Sequence, residues 1–176
     1  MNAPECHVSF VIGRRASGKS SMLSKLASTW GKECLILVNT KDNAEHHIMN
    51  TRGVGVILLE SSLEHGELPA YCSSWNASCL LIDDANGTSH DAMLTDALEL
   101  AKSRNLSRLV ISLNHPLMAP LSQLSMLGCN MTIDVTMLSH YDDPLSVRIM
   151  QNLNSTYPVR LELGTSGVAS GTIMCA

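Results

Sequence analysis

The chain alternates short apolar runs with longer stretches whose apolar positions recur every three or four residues. His7 to Ile12 is a β-rich run closed by Gly13, and Lys19 to Trp30 reads as a helix. Cys34 to Asn39 and Val54 to Leu59 are apolar runs of strand length. Leu63 to Trp75 is weakly helical, limited by Pro69. Cys79 to Asp83 predicts a buried strand, His90 to Ser103 an amphipathic helix, and Leu109 to Asn114 a further strand. Beyond Pro116 and Pro120, Leu121 to Leu127 reads as a short helix that leads into an alternating segment, Asn130 to Met137. Tyr157 to Leu163 is the last strand candidate, and the Gly/Ser/Thr-rich tail from Gly164 carries little helical or packing signal.

Continuous apolar strands separated by helices are what a mainly parallel sheet, covered on both faces, requires. The expected class is therefore α/β and doubly wound. Residues 1–176 read as one domain, with a core over about 7–137 and a C-terminal strand and flexible tail over 138–176. In such sheets ligands sit beyond the carboxyl ends of the strands, so the residues that follow each strand are where chemistry belongs.

Composition narrows the function classes. An apolar share of 45% with a net charge of only −4 excludes a disordered chain. The aromatics are one Phe, two Trp and three Tyr, so the core must be aliphatic and Met-rich, and stacking platforms for single-stranded nucleic acid are not available. The mild acidic excess also argues against a highly basic architectural DNA protein. No apolar run approaches a membrane span. The N-terminus lacks the basic start and apolar stretch of a secretory signal, so an intracellular location is expected. The six cysteines form no C-x-x-C pair and several lie inside apolar stretches, which reads as buried free thiols. Charge is uneven: residues 1–52 sum to +3, residues 53–100 to −8 without one Lys or Arg, and residues 101–176 to +1. The acidic middle is either a solvated face or a surface that meets a basic one on another subunit.

The strongest motif follows the first strand. Gly13-Arg14-Arg15-Ala16-Ser17-Gly18-Lys19-Ser20 fits G-x-x-x-x-G-K-[ST] at every defined position, with a strand before it and a helix after it. Its glycines let successive N–H groups curl around phosphate oxygens, and the binding segment extends through Ser21. Lys19 reaches the β- and γ-phosphates of ATP, the Ser20 hydroxyl ligates Mg²⁺, and the helix start adds its positive dipole end. Asp83, at the tip of a buried strand, is placed to hold the Mg²⁺ as a Walker-B aspartate does. Asp84 beside it is the candidate to orient or deprotonate the attacking water. Asn114, at the end of another buried strand, is the candidate contact to the γ-phosphate or the lytic water, with His115 as second choice.

These residues resemble the FtsK/HerA-type P-loop ATPases, and within them the small genome-packaging ATPases of double-stranded DNA viruses related to the poxvirus packaging ATPase. The resemblance runs from about Val8 to Met137, through FVIGRRASGKSSMLSKL, CLLIDDA, KSRNLS and LVISLNHPLMAPL. A Gln is common in that family where this chain has Asn114, and a Glu where it has Asp84. The resemblance implies a three-layer P-loop NTPase fold, ASCE/RecA-like, and a homo-oligomeric ring that packages viral double-stranded DNA into a preformed capsid. It implies capsid or portal-vertex proteins as partners, and action at the assembly site in the host cytoplasm or nucleus or within the virion. It also implies an arginine finger from the neighbouring subunit, for which Arg104 is the best match and Arg108 the reserve. Lys41 and Arg52 read either as pore residues or as solvated loop positions.

Two other readings stand beside the packaging motor. A ring helicase or RNA-packaging NTPase combines the same phosphate loop, acidic pair and sensor Asn. A nucleotide kinase or nucleotide-gated binding module differs in kind, and usually carries a lid with several Arg; after Asn114 this chain has only Arg148 and Arg160.

Overall fold

The computed structural model describes residues 6–59, 67–83, 91–102, 106–115, 131–139, 144, 159–163 and 169–174. In chain order the elements are β1 (Cys6–Ile12), α1 (Lys19–Trp30), β2 (Cys34–Val38), α2 (Lys41–Asn50), β3 (Gly55–Leu58), α3 (Glu67–Trp75), β4 (Cys79–Ile82), α4 (Asp91–Lys102), β5 (Arg108–Leu113), β6 (Met131–Met137), β7 (Val159–Leu163) and β8 (Ala169–Met174). They form an α/β fold around a mainly parallel sheet of order β3-β2-β4-β5-β1-β6-β8-β7. From β3 to β6 every neighbouring pair is parallel, and β8 and β7 extend that edge antiparallel.

Strand side chains alternate between the two faces, so each central strand feeds two cores. Leu35, Leu37, Leu80, Ile82, Leu109 and Ile111 pack with Leu68 and Cys72 of α3 and Ala97, Leu98 and Ala101 of α4. Ile36, Val38, Leu81 and Val110 point the other way, onto Leu23 and Ala27 of α1 and Ala44 of α2. The strands are apolar on both faces because both faces are covered. Among the described residues no helix is long and apolar enough to cross a membrane.

Local signals explain the helix bounds. Helix α1 starts after Gly18 and stops at Gly31, whose N–H donates to the Ala27 carbonyl. Its buried positions Lys19, Leu23, Ser24 and Ala27 follow the helical period. Pro69 sits in the first turn of α3, where a missing N–H costs nothing. Helix α3 ends at Asn76, a left-handed residue with φ 55°.

Two elements depart from the sequence expectation. Lys41 to Asn50 forms a helix, capped by the Thr40 hydroxyl, which accepts from the Asn43 N–H at 3.2 Å. The tail after Gly164, read as flexible, contains β8, which pairs with both β6 and β7. Its Gly, Ser and Thr content hides a strand that pairs with the distant β6 on one side and with its hairpin neighbour β7 on the other. The helix expected over Leu121 to Leu127 lies outside the described residues.

The register brings the strand ends to one line. Ile12 pairs with Leu113 and Met137, Ile82 with Ile111, and Leu37 with Ile82. Gly13, Thr40, Asp83 and Asn114 therefore share the carboxyl edge of the sheet.

Candidate functional site

The loop from Gly13 to Gly18 is shaped by close approach and left-handed backbone. A Cβ at Gly13 would collide with Ser17 Oγ and come to 3.0 Å from the Leu138 Cβ, so any side chain there would force its neighbours to shift. Gly18 has φ 97°, a conformation that L side chains rarely adopt. Ala16 also lies in the left-handed region, at φ 62°, a strain of about 1–3 kcal/mol that the surrounding loop holds in place. The Ser17 N–H donates to the Arg14 carbonyl at 3.1 Å, and the Arg14 N–H to Ser139 Oγ at 2.8 Å.

Lys19 curls back over this loop. Its ammonium donates to the carbonyls of Gly13 at 2.7 Å and Arg14 at 3.0 Å, with 7% of the residue exposed. The Ser17 hydroxyl is buried in the same loop and has no hydrogen-bond partner among the described residues. A buried polar atom of that kind is costly unless a ligand or water meets it.

Opposite the loop, Asp83 follows β4 and is 1% exposed. Its backbone N–H continues the ladder to the Leu37 carbonyl at 2.9 Å, which fixes the start of the side chain. Oδ2 accepts from Ser20 Oγ at 2.7 Å and from His47 Nε2 at 2.7 Å, and Oδ1 accepts from Ser112 Oγ at 2.8 Å. Burial alone would push this carboxyl up, but the hydrogen bonds from His47, Ser20 and Ser112 outweigh it and hold the group below the usual carboxylate range. Asp83 is thus an ionised carboxylate with both oxygens engaged. A hydroxyl and one carboxylate, both hard oxygen donors, form the small protein set that Mg²⁺ uses beside phosphate oxygens and water.

Between these parts opens a polar cleft of about 450 Å³. Arg15, Ala16, Lys19 and Ser20 line it from the loop side, Asp83 and Asn114 from the strand ends, and Thr40, Asp42 and Asn43 from the start of α2. Its size is in the range of small-ligand sites. Asn114 is half-buried at the end of β5, the strand between β1 and β4, and faces the same cleft.

The structure thus gathers Gly13, Arg15, Ala16, Ser17, Gly18, Lys19, Ser20, Asp83 and Asn114 at one edge. Arg14 is exposed on the same loop, Ser21 lies in the first turn of α1, and His115 follows Asn114 without lining the cleft. Arg108 stands at the opposite, amino end of β5, with its guanidinium 4.8 Å from the centre of the Trp30 ring. Lys41, expected in a loop or pore, opens α2, and Arg52 is exposed in the turn before β3. Asp84, Arg104 and Arg148 lie outside the described residues.

Sequence reasoning missed His47 and Ser112. Ser112 was visible as a hydroxyl inside the apolar run Leu109-Val110-Ile111-Ser112-Leu113. His47 required recognition of α2, for which Thr40, a favoured N-cap residue, was the local signal.

No protein-family model matches this chain, and no curated protein matches it in sequence.

Proposed function

We propose that the protein is a Mg²⁺-dependent ATP hydrolase of the P-loop class, with an ASCE/RecA-like core, and that it works as a ring to move double-stranded DNA into a capsid. The observation that carries the hydrolase reading is the meeting, at the carboxyl edge of the sheet, of the Gly13 to Ser20 loop and Asp83, joined by the Ser20–Asp83 hydrogen bond. The orphaned Ser17 hydroxyl and the close-packed Gly13 also suit a loop whose polar groups face a phosphate chain.

In this reading the loop N–H groups and Lys19 bind the phosphates, while Ser20 and Asp83 hold the metal. Bound Mg²⁺ supplies neutralisation of charge on the β- and γ-phosphates. Asn114, at the cleft wall, orients the γ-phosphate or the water. Asp84 takes the proton of the water whose oxygen attacks the γ-phosphorus as the bond to the bridging oxygen breaks and ADP leaves. Arg104 from a neighbouring subunit stabilises the same charge, an effect worth about 10³–10⁵ in rate in this class. The packaging role rests on the resemblance of the motif segments, and the positive loops of a ring would contact the DNA backbone with steep salt dependence.

Purified protein should hydrolyse ATP only with Mg²⁺, and Lys19→Ala should bring turnover to background. Persistence of the wild-type rate in that variant would remove the hydrolase reading. Asp84→Asn should retain bound ATP without turning it over. Mixing Arg104→Ala with Lys19→Ala subunits should restore part of the activity if the finger acts between subunits. Translocation on duplex DNA, compared with single-stranded RNA, separates a packaging motor from an RNA motor.

A further inference from the structure

Asp83 receives three side-chain hydrogen bonds, and they come from different parts of the fold. Ser20 belongs to the phosphate loop and Ser112 to the neighbouring strand β5. The third donor, His47, comes from the middle of α2 and is 0% exposed. A histidine ring takes a core position there, packed edge-on to His46 with ring centres 5.4 Å apart. Its second nitrogen is also engaged: Nδ1 lies 2.8 Å from Ser24 Oγ of α1, and Ser24 is itself buried.

The carboxylate dictates which ring nitrogen faces it with a proton. Asp83 is ionised and can only accept, so His47 Nε2 carries a proton and donates to Oδ2. In the neutral imidazole Nδ1 is then the acceptor, and the Ser24 hydroxyl donates to it. Asp83, which can only accept, sets the tautomer; Ser24 holds the ring plane through Nδ1, and the ring in turn holds the carboxylate. Three elements, α1, α2 and β4, are tied through one buried line of hydrogen bonds.

From this geometry we infer that His47, oriented by Ser24, is a positioning residue that holds Asp83 ready for the metal. The inference rests on the Mg²⁺-nucleotide reading of the cleft. Without His47, Oδ2 would keep, among the described residues, only the Ser20 hydroxyl, which belongs to the loop that takes up nucleotide. With His47 in place, Oδ2 is anchored to a helix outside that loop, as Oδ1 is anchored to β5 by Ser112, so both oxygens are held independently of the loop. Outer partners of this kind, acting on a ligand rather than on the metal, are typically worth about 10–100-fold in metal affinity. Helix α2 borders the cleft at its start, through Thr40, Asp42 and Asn43, and supports the metal carboxylate from its middle. One helix therefore contributes to both the wall and the metal side of the site.

The test measures metal binding directly, without turnover, at one fixed pH. Mn²⁺, as a paramagnetic stand-in for Mg²⁺, is titrated into full-length protein saturated with a non-hydrolysable ATP analogue, and free Mn²⁺ is read by EPR. Analogue affinity in EDTA is measured in parallel. His47→Ala should weaken Mn²⁺ binding by about 10–100-fold and leave analogue affinity in EDTA within about twofold. His47→Gln, whose amide N–H can still donate to Asp83, should recover part of the loss. Ser24→Ala should weaken Mn²⁺ binding by a few-fold, and it remains informative if His47→Ala does not fold, because it removes one hydroxyl only. Folded His47→Ala, or Ser24→Ala, with wild-type Mn²⁺ affinity would overturn the inference. A uniform loss of analogue binding in EDTA would overturn it too, by showing a structural role alone. Wild-type protein that takes up no Mn²⁺ with the analogue would instead overturn the Mg²⁺-nucleotide reading itself.

Discussion

The two ends of the parallel sheet solve the same packing problem with different chemistry. At the amino ends of β2 and β4, Cys34 and Cys79 are paired in register and both are buried. Cys79 Sγ lies 3.9 Å from Ser78 Oγ and 3.8 Å from Ser107 Oγ, and the backbone closes over them through the Ser107 N–H to the Ser78 carbonyl at 2.8 Å. Charged groups there stay at the surface: Glu33 accepts from Ser78 at an exposed position, and Arg108 lies over Trp30. Burial pushes the nearby Cys6 thiol up to about 12, with a smaller push from Cys79. The hydrogen bond shared by Cys34 and Cys79 raises the first and lowers the second.

At the carboxyl ends the fold buries a full charge. Asp83 is enclosed by Ser20, His47 and Ser112, and Lys19 is folded onto its own loop nearby. An aliphatic packing of similar volume would avoid the desolvation cost that this arrangement carries. The amino end shows that the sheet closes well enough with thiols and hydroxyls. The buried charge sets the carboxyl end apart from the amino end, and in the proposed function it is the end that serves a ligand.

Substitutions at each end should separate these roles. Lys19→Ala should have the largest effect on function, with ATP turnover at background and the far-ultraviolet circular dichroism unchanged. Asp83→Asn should lower turnover by at least about 10²-fold and should cost about 1–3 kcal/mol in denaturant unfolding, since the amide cannot accept from all three donors. Gly13→Ala forces a Cβ into Ser17 Oγ and should weaken nucleotide binding by about tenfold or more, with a lower melting temperature. Cys79→Ala, at the amino end, should cost about 1–2 kcal/mol of stability and leave kcat within about twofold. If Cys79→Ala instead cut turnover as deeply as Asp83→Asn, the division between the two ends would fail.

How much of this was legible in the sequence depended on range. Helix α1 matched its expected bounds because Gly18 and Gly31 bracket it locally. The positions of the Gly13 to Ser20 loop and of Asp83 at strand ends were legible because each follows an apolar strand within a few residues. Helix α2 was missed because its buried positions are only Ala44 and His47, while Ile48 and Met49 face outward at 64% and 83% exposure. That polarity erased the apolar period on which the helix reading relied. The hydrogen bonds of His47 and Ser112 to Asp83 join residues 36 and 29 positions apart, so only the strand order could bring them together. Strand β8 was hidden for a similar reason, since Ser170, Gly171 and Thr172 gain their place from pairing rather than from propensity.

The central claim is that the carboxyl edge of the sheet is a Mg²⁺-nucleotide site organised on Asp83. The most direct measurement is equilibrium binding of a fluorescent ATP analogue to wild-type and Asp83→Asn protein, with Mg²⁺ and with EDTA. Wild-type protein should bind more tightly with Mg²⁺, and Asp83→Asn should lose that gain while keeping the weaker metal-free affinity. Absence of binding by the wild type, or an equal Mg²⁺ gain in both proteins, would contradict the account.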